Sequence, residues 1–261
     1  MRFTKMEGLG NDYIYLNCME GEPDDLPGLA VRLSDRHFGV GGDGLICIKP
    51  GRSGDFCMEM YNADGSRGAM CGNGIRCLGK YVYDKGLTRK TCLTIDTDAG
   101  PRGLELAVLG NRVDQVTVDM GEARIVPAIT LETAGETFEA IQVSVGNPHA
   151  VIFCDDPERV DLEGLGPLLE RHPGLRERSN VEFAAAGESG LNIRVWERGS
   201  GVTLACGTGA CAVFAAARRK GLCGERTEAR LPGGGLQLEQ RGGHIFMTGP
   251  ARTVFEGETE G

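Results

Sequence analysis

No stretch of this chain reaches the ~18 consecutive apolar residues of a membrane-spanning helix. Its most apolar part, residues 204–217, is interrupted by glycines and a threonine and reads as a buried central helix. Basic charge is not in excess either. A net charge of −9 argues against a nucleic-acid surface and leaves a small-molecule substrate open. None of the ten cysteines forms a Cys-x-x-Cys pair, so zinc-ribbon and thioredoxin-like readings lack their motif and no metal site is expected. The first residues, Met1-Arg2-Phe3-Thr4-Lys5, run into a strand without the apolar core of a signal peptide. A cytoplasmic protein without a disulfide framework is the expectation. Residues 39–44 spell G-x-G-x-x-G, but they follow a helix and precede a strand. Dinucleotide binding needs the opposite order, so this run reads as a loop.

What the chain does have is a stretch that occurs twice. Cys71-Gly72-Asn73-Gly74 opens a helix-forming run that closes on Lys85-Gly86-Leu87, and Cys206-Gly207-Thr208-Gly209 opens one that closes on Lys220-Gly221-Leu222. Each reads as a helix starting after a cysteine and stopping at a glycine just beyond its end. The two cysteines are 135 residues apart, and Arg171-His172 follows Arg36-His37 by the same 135. Gly146-Asn147 follows Gly10-Asn11 by 136, as Asn180 follows Gly44. Four landmarks in one order at nearly one offset point to a duplicated unit, far longer than a solenoid repeat. The expected domains are residues 1–120 and 121–249, with the tail 250–261 packing back on the first. Forty-one glycines, roughly twice ordinary usage, imply many tight turns and backbone that can approach a ligand closely.

Alternation and turn residues place strands at 3–7, 13–18, 45–49, 56–61, 91–97, 103–109 and 113–120 in the first half. A helix is expected over 24–37, broken near Pro27-Gly28. In the second half, strands are expected at 138–145, 150–154, 181–185, 191–196, 228–231, 236–239 and 245–247, with a helix over 162–172. Residues 197–201 read as a loop before the second cysteine helix. Cys18, Cys47, Cys57, Cys92 and Cys154 lie in strand-like apolar runs and read as buried small hydrophobes.

A thiol at a helix N-terminus meets unpaired backbone N–H groups and the positive end of the helix dipole. That placement is expected to lower both thiols from ~8.5 towards ~7. The same N–H groups can hold a carboxylate without lysine or arginine. Two such helices converging on one ligand would put a base and an acid on opposite faces of a carbon, as inversion of a stereocentre requires. Two buried cysteines that merely cap helices fit the same residues taken singly. The duplication and the flanking polar loops favour chemistry.

Gly8-Leu9-Gly10-Asn11-Asp12, Asn62-Ala63-Asp64-Gly65-Ser66, Cys71-Gly72-Asn73-Gly74, Gly146-Asn147-Pro148-His149, Glu197-Arg198-Gly199 and Ala205-Cys206-Gly207-Thr208-Gly209 together resemble the diaminopimelate epimerase family, in family order across nearly the whole chain. The resemblance implies an α/β (α+β) fold of two pseudo-symmetric domains, each a curled, mostly antiparallel sheet or barrel around a central helix. It further implies a cytoplasmic homodimer that interconverts LL- and meso-2,6-diaminopimelate without a cofactor, for lysine and peptidoglycan precursors. Cys71 and Cys206 would be the acid–base pair. Gly72, Asn73, Gly207 and Thr208 would bind the reacting carboxylate through backbone amides. Asn11, Asn62, Asn147, Asn180, Glu197 and Arg198 would line the substrate site, Arg198 as a fork onto the distal carboxylate. His149 and Glu197 would tune the thiols. Some members carry Gln where this chain has Gly44, so no side-chain contact is assigned there.

Without the resemblance, the asparagines also fit turn or cap residues, Glu197 and Arg198 a solvated pair, and His149 a partner for a loop carbonyl. Another two-cysteine racemase, of the proline racemase kind, and a non-catalytic amino-acid-binding duplicate are the competing functions. The polar loops at Asn62 and Glu197 favour a substrate with a second amino-acid end, and retention of both cysteines favours turnover. A pyridoxal-phosphate enzyme needs a Schiff-base lysine, and none of the six lysines lies in the loops that carry the resemblance.

Overall fold

The computed structural model describes residues 1–259, and within them the chain divides into two compact units, Met1–Asp119 with the residues from Gly249 onward, and Met120–Thr248. The first runs β1 (Arg2–Gly8), β2 (Asn11–Asn17), α1 (Leu26–Ser34), β3 (Gly44–Pro50), β4 (Phe56–Asn62), β5 (Arg67–Gly68), α2 (Gly72–Asp84), β6 (Cys92–Asp96), β7 (Arg102–Leu109) and β8 (Arg112–Glu122). The second runs β9 (Arg124–Ile125), β10 (Ile129–Thr133), β11 (Glu136–Ser144), β12 (Pro148–Phe153), α3 (Leu162–Glu170), β13 (Asn180–Gly187), β14 (Gly190–Glu197), β15 (Gly201–Thr203), α4 (Gly207–Lys220), β16 (Arg226–Leu231), β17 (Gly234–Arg241) and β18 (His244–Pro250). The last strand, β19 (Arg252–Glu258), pairs antiparallel with β1.

Strand pairing repeats from one unit to the other. β1–β2 and β11–β12 are antiparallel, β2–β3 and β12–β13 parallel, and β3–β4 and β13–β14 antiparallel. β4–β6 and β14–β16 are parallel, and the two following pairs in each unit are antiparallel. Strands from both sides of the first sheet, β19 and β7, touch α2, and α4 is met by β11 to β14, β16 and β17 in the same way. Each sheet therefore curls around its own helix. No pairing among the described residues joins β8 to β19 or β18 to β10, so neither sheet closes into a barrel.

Alternation explains both layers. On β3, Leu45 and Cys47 join the cluster under α1 with Leu26, Leu29, Ala30 and Leu33. Ile46, between them, lies on the side of α2, where a Cβ on Gly74 would stand 2.7 Å from its Cδ1. On β13, Val181 and Phe183 join the cluster under α3 with Leu162 and Leu169. Between these two, Glu182 takes the place Ile46 has in the first unit.

Some boundaries differ from expectation. α1 begins at Leu26 because Asp25 caps it, its Oδ1 accepting from Gly28 N at 2.9 Å. Pro27 falls in the first turn, where a missing N–H costs nothing, so nothing breaks there. The helix ends at Ser34, and Asp35 Oδ1 accepts the amides of His37 and Phe38 instead. Strand β10, paired with β11, has no forerunner in the sequence reading. Residues 197–201 are not wholly loop: Glu197 ends β14 and Gly201 begins β15. Cys92 is exposed, because it opens β6 on the outward side of the alternation. Gly44 admits no side chain, since a Cβ would lie 2.1 Å from the Tyr61 carbonyl oxygen.

In α3, a Cβ on Gly166 would lie 2.4 Å from Trp196 Cδ2. The rigid indole, held by Nε1 donating to Glu170 Oε2 at 2.8 Å, cannot step aside cheaply. Gly166→Ala is expected to cost about 1–3 kcal/mol by overpacking. Urea unfolding followed through Trp196, the sole tryptophan, would measure it. An unchanged midpoint would contradict this packing.

Candidate active site

In each unit the parallel strand pair starts, and the next strand ends, at one edge of the sheet, and the central helix begins beside that edge. The edge of the first unit carries Asn11 at the start of β2, Gly44 at the start of β3 and Asn62 at the end of β4, with Gly44 and Asn62 in register. The equivalent edge of the second carries Asn147 just before β12, Asn180 at the start of β13 and Glu197 at the end of β14.

Cys71 caps α2. Its backbone is extended, and its Sγ accepts from Gly74 N at 3.3 Å. The thiol donates to Asn11 Oδ1 at 3.2 Å. Asn11 Nδ2 in turn donates to Asp43 Oδ2 at 2.7 Å. Tyr15 Oη donates to the Gly74 carbonyl at 2.9 Å, tying the first turn of α2 to β2. Gly72 and Asn73 supply the first two helical amides, which have no carbonyl partner within the helix itself. Asn62 sits on the same edge but bonds locally, its Nδ2 donating to Ser66 Oγ at 2.9 Å.

Cys206 caps α4 in the same way, its Sγ accepting from Gly209 N at 3.4 Å with Thr208 Oγ1 at 3.5 Å. The helix stops at Gly221, whose φ of 72° only glycine adopts cheaply. Glu197 accepts from Thr203 Oγ1 at 2.5 Å. Arg198 N donates to Asn180 Oδ1 at 2.8 Å, and Arg198 Nη1 to the Arg178 carbonyl at 3.0 Å. His149 is fully buried between Glu182 Oε1, 2.7 Å from Nδ1, and Asn147 Oδ1, 3.0 Å from Nε2. Glu182 Oε2 has no hydrogen-bond partner among the described residues. Glu182 also fixes glycine at 209, where a Cβ would lie 2.7 Å from its Oε1.

The expectation that both thiols are lowered is corrected for Cys206. Burial pushes this thiol well above its ordinary range, and the carboxylates of Glu197 and Glu182 push it further. The Thr208 hydroxyl and the Gly209 amide act in the expected direction but are outweighed. The sequence supplies the helix terminus, but desolvation and two acidic neighbours come only with the fold. Glu197, half-buried by surface, is itself raised by desolvation against the hydrogen bond from Thr203. A thiol raised by a neighbouring carboxylate should fall when that charge is removed. Glu197→Gln is therefore expected to move alkylation of Cys206 to lower pH, read by mass spectrometry of the peptide that contains it. A shift to higher pH would contradict the assigned cause.

The edge of the first unit thus gathers Asn11, Cys71, Gly72 and Asn73, with Asn62 two strands away. That of the second gathers Asn147, His149, Asn180, Glu197, Arg198, Cys206, Gly207 and Thr208. Sequence reading missed Asp43, Thr203 and Glu182. For Glu182 the one signal was an acidic residue inside the apolar run Val181-Glu182-Phe183. No cluster of His, Cys, Asp and Glu suited to a metal occurs among the described residues, and no helix is long and apolar enough to cross a membrane.

The fold is shared with a phenazine biosynthesis protein from Bacillus anthracis, at a TM-score of 0.78 and 13% identity, covering 100% of this chain and 99% of that one. A hydroxyproline epimerase from Agrobacterium vitis matches at a TM-score of 0.71 and 16% identity, covering 98% and 90%. At such identities the likeness concerns fold alone. Sequence comparison goes further. Diaminopimelate epimerase from Acetivibrio thermocellus is 46% identical over 276 aligned residues, covering 100% of this chain and 99% of its own length. The family profile described as diaminopimelate epimerase matches residues 3–126 and 141–254, which takes in both cysteine helices. This chain belongs to the diaminopimelate epimerase family.

Proposed function

We propose that the chain interconverts LL- and meso-2,6-diaminopimelate at one α-carbon, with Cys71 and Cys206 as the acid–base pair and no cofactor. One sulfur, as thiolate, removes the α-proton, and the other, as thiol, delivers its proton to the opposite face. The C–H bond broken on one face is replaced by one on the other, and the two sulfurs exchange protonation states. The α-carboxylate, held by the amides of Gly72–Asn73 and Gly207–Thr208, takes up the charge that develops at the carbon. Arg198 meets the distal carboxylate, and Asn11, Asn62, Asn147, Asn180 and Glu197 meet the amino and carboxylate groups. His149 and Glu197 bias the protonation of Cys206.

The observation that carries this reading is that a cysteine caps the central helix of each unit, in a chain of this family. A helix cap made by sulfur is a poor exchange for Ser, Thr, Asp or Asn if stability alone were at stake. Proline racemase-like activity has no such support, because the likeness to a proline-type enzyme is one of fold alone. The test is purified protein with LL-diaminopimelate and no added cofactor, analysed for the meso isomer. Failure to form it, or activity only after pyridoxal phosphate is added, would refute the reading. The reading also carries a homodimer in the cytoplasm that supplies lysine and peptidoglycan precursors, and light scattering of the purified protein would test the dimer.

A further inference from the structure

The two equivalent asparagines, Asn11 and Asn147, are fixed by different partners. Asn147 meets His149, whereas Asn11 is tied to Asp43 in the loop before β3. Asp43 is fully engaged. Its Oδ2 accepts from Asn11 Nδ2 at 2.7 Å and from Asp12 N at 3.1 Å, and its Oδ1 accepts from Arg36 Nη2 at 3.0 Å. Arg36 also forks onto Asp12, with Nη1 at 3.2 Å and Nη2 at 2.8 Å from the two oxygens, and Lys5 Nζ stands 2.7 Å from Asp12. Arg36 and Lys5 thus hold the two acidic side chains beside Asn11 in place.

An amide has a donating end and an accepting end, but a carboxylate only accepts. With its NH₂ on Asp43, Asn11 must turn its oxygen to Cys71. Reversing the amide would set a carbonyl oxygen 2.7 Å from a carboxylate oxygen. An oxygen facing sulfur accepts a hydrogen bond from the thiol and repels the thiolate.

We propose that Asp43 is a positioning residue for Cys71: by fixing the amide of Asn11, it holds the sulfur as a thiol until substrate takes over Asn11. This rests on the reading of Cys71 as an acid–base group. Tyr15 on β2 and Cys77 on α2 also stand near the sulfur, and no variant below changes them.

The test is the pH dependence of Cys71 alkylation by iodoacetamide. Trypsin releases Cys71 in a peptide of its own, residues 68–76, away from the other nine cysteines. Asp43→Ala frees the Asn11 amide to turn its NH₂ to sulfur, and the profile should move down by about one unit. Asn11→Leu removes the accepting oxygen and should move it the same way. Asp43→Asn loses the charge but keeps an oxygen for Asn11 and Asp12, and Arg36 retains Asp12. Its profile should stay close to that of the parent. Loss of charge alone would move both Asp43 variants alike, so an Asp43→Asn profile as low as that of Asp43→Ala overturns the proposal. A parent-like profile in Asn11→Leu also overturns it. If Asp43→Ala fails to fold, Asp43→Leu, which keeps the bulk and likewise offers Asn11 no acceptor, takes its place with the same expected shift. Alkylation needs no turnover, so an inactive parent with these shifts would refute the epimerase reading and leave the role of Asp43 standing.

Discussion

Cys71→Ala and Cys206→Ala should each lower kcat/KM for diaminopimelate epimerisation by at least about 10³-fold. Proton transfer by a positioned group contributes typically 10²–10⁴-fold, and each face of the carbon has one carrier. Alanine keeps the helix but cannot hold a proton, and its methyl also forfeits the cap on Gly74 N or Gly209 N. Loss of a cap costs about 1 kcal/mol of stability, far less than the several kcal/mol lost from the transition state. The two losses can be separated by measuring unfolding alongside turnover. Cys92→Ala, at an exposed position away from both caps, is the control and should keep parent activity. Near-parent turnover in either cap variant would rule out the two-thiol assignment.

Arg198→Ala should raise KM for diaminopimelate by roughly 30- to 150-fold, equivalent to about 2–3 kcal/mol for an unpaired charged partner. Among the described residues only Nη1 of its guanidinium has a hydrogen bond, to the Arg178 carbonyl, so most of the fork remains for a carboxylate. The side chain is exposed, and its removal should leave stability within about 0.5 kcal/mol. kcat at saturation should fall less than KM rises, because the distal end of the substrate lies away from the reacting carbon. An unchanged KM would remove Arg198 from the substrate site.

The duplication could be read from the sequence because its landmarks are turn and cap residues. Gly10-Asn11 and Gly146-Asn147, the two Cys-Gly-x-Gly steps and the closing glycines are set by backbone geometry, which repeats wherever the fold repeats. Gly221 in the left-handed region and both sulfur caps fall where those patterns put them. Charge placement was not legible. Alternation along Val181-Glu182-Phe183 assigns Glu182 to a polar face, because strand period says which residues share a side but not what covers it. In the fold that side meets α4, and a buried carboxylate beside His149 results. The Cys206 thiol was misjudged for the same reason, since a helix terminus is visible in sequence and a desolvated acidic neighbour is not. Strand β10 was missed because Ile129-Thr130-Leu131-Glu132-Thr133 is short and only Leu131 in it is buried.

The most direct test of the account is to run the reaction from LL-diaminopimelate in D₂O and stop it at low conversion. Two separate carriers predict that the meso product carries solvent deuterium at the inverted carbon, while recovered LL isomer carries almost none. The sulfur that takes a proton can return only that proton to the face it left, and the sulfur that donates has already exchanged with solvent. Product that retains the original hydrogen, or deuterium appearing equally early in both isomers, would contradict the assignment of one thiol to each face.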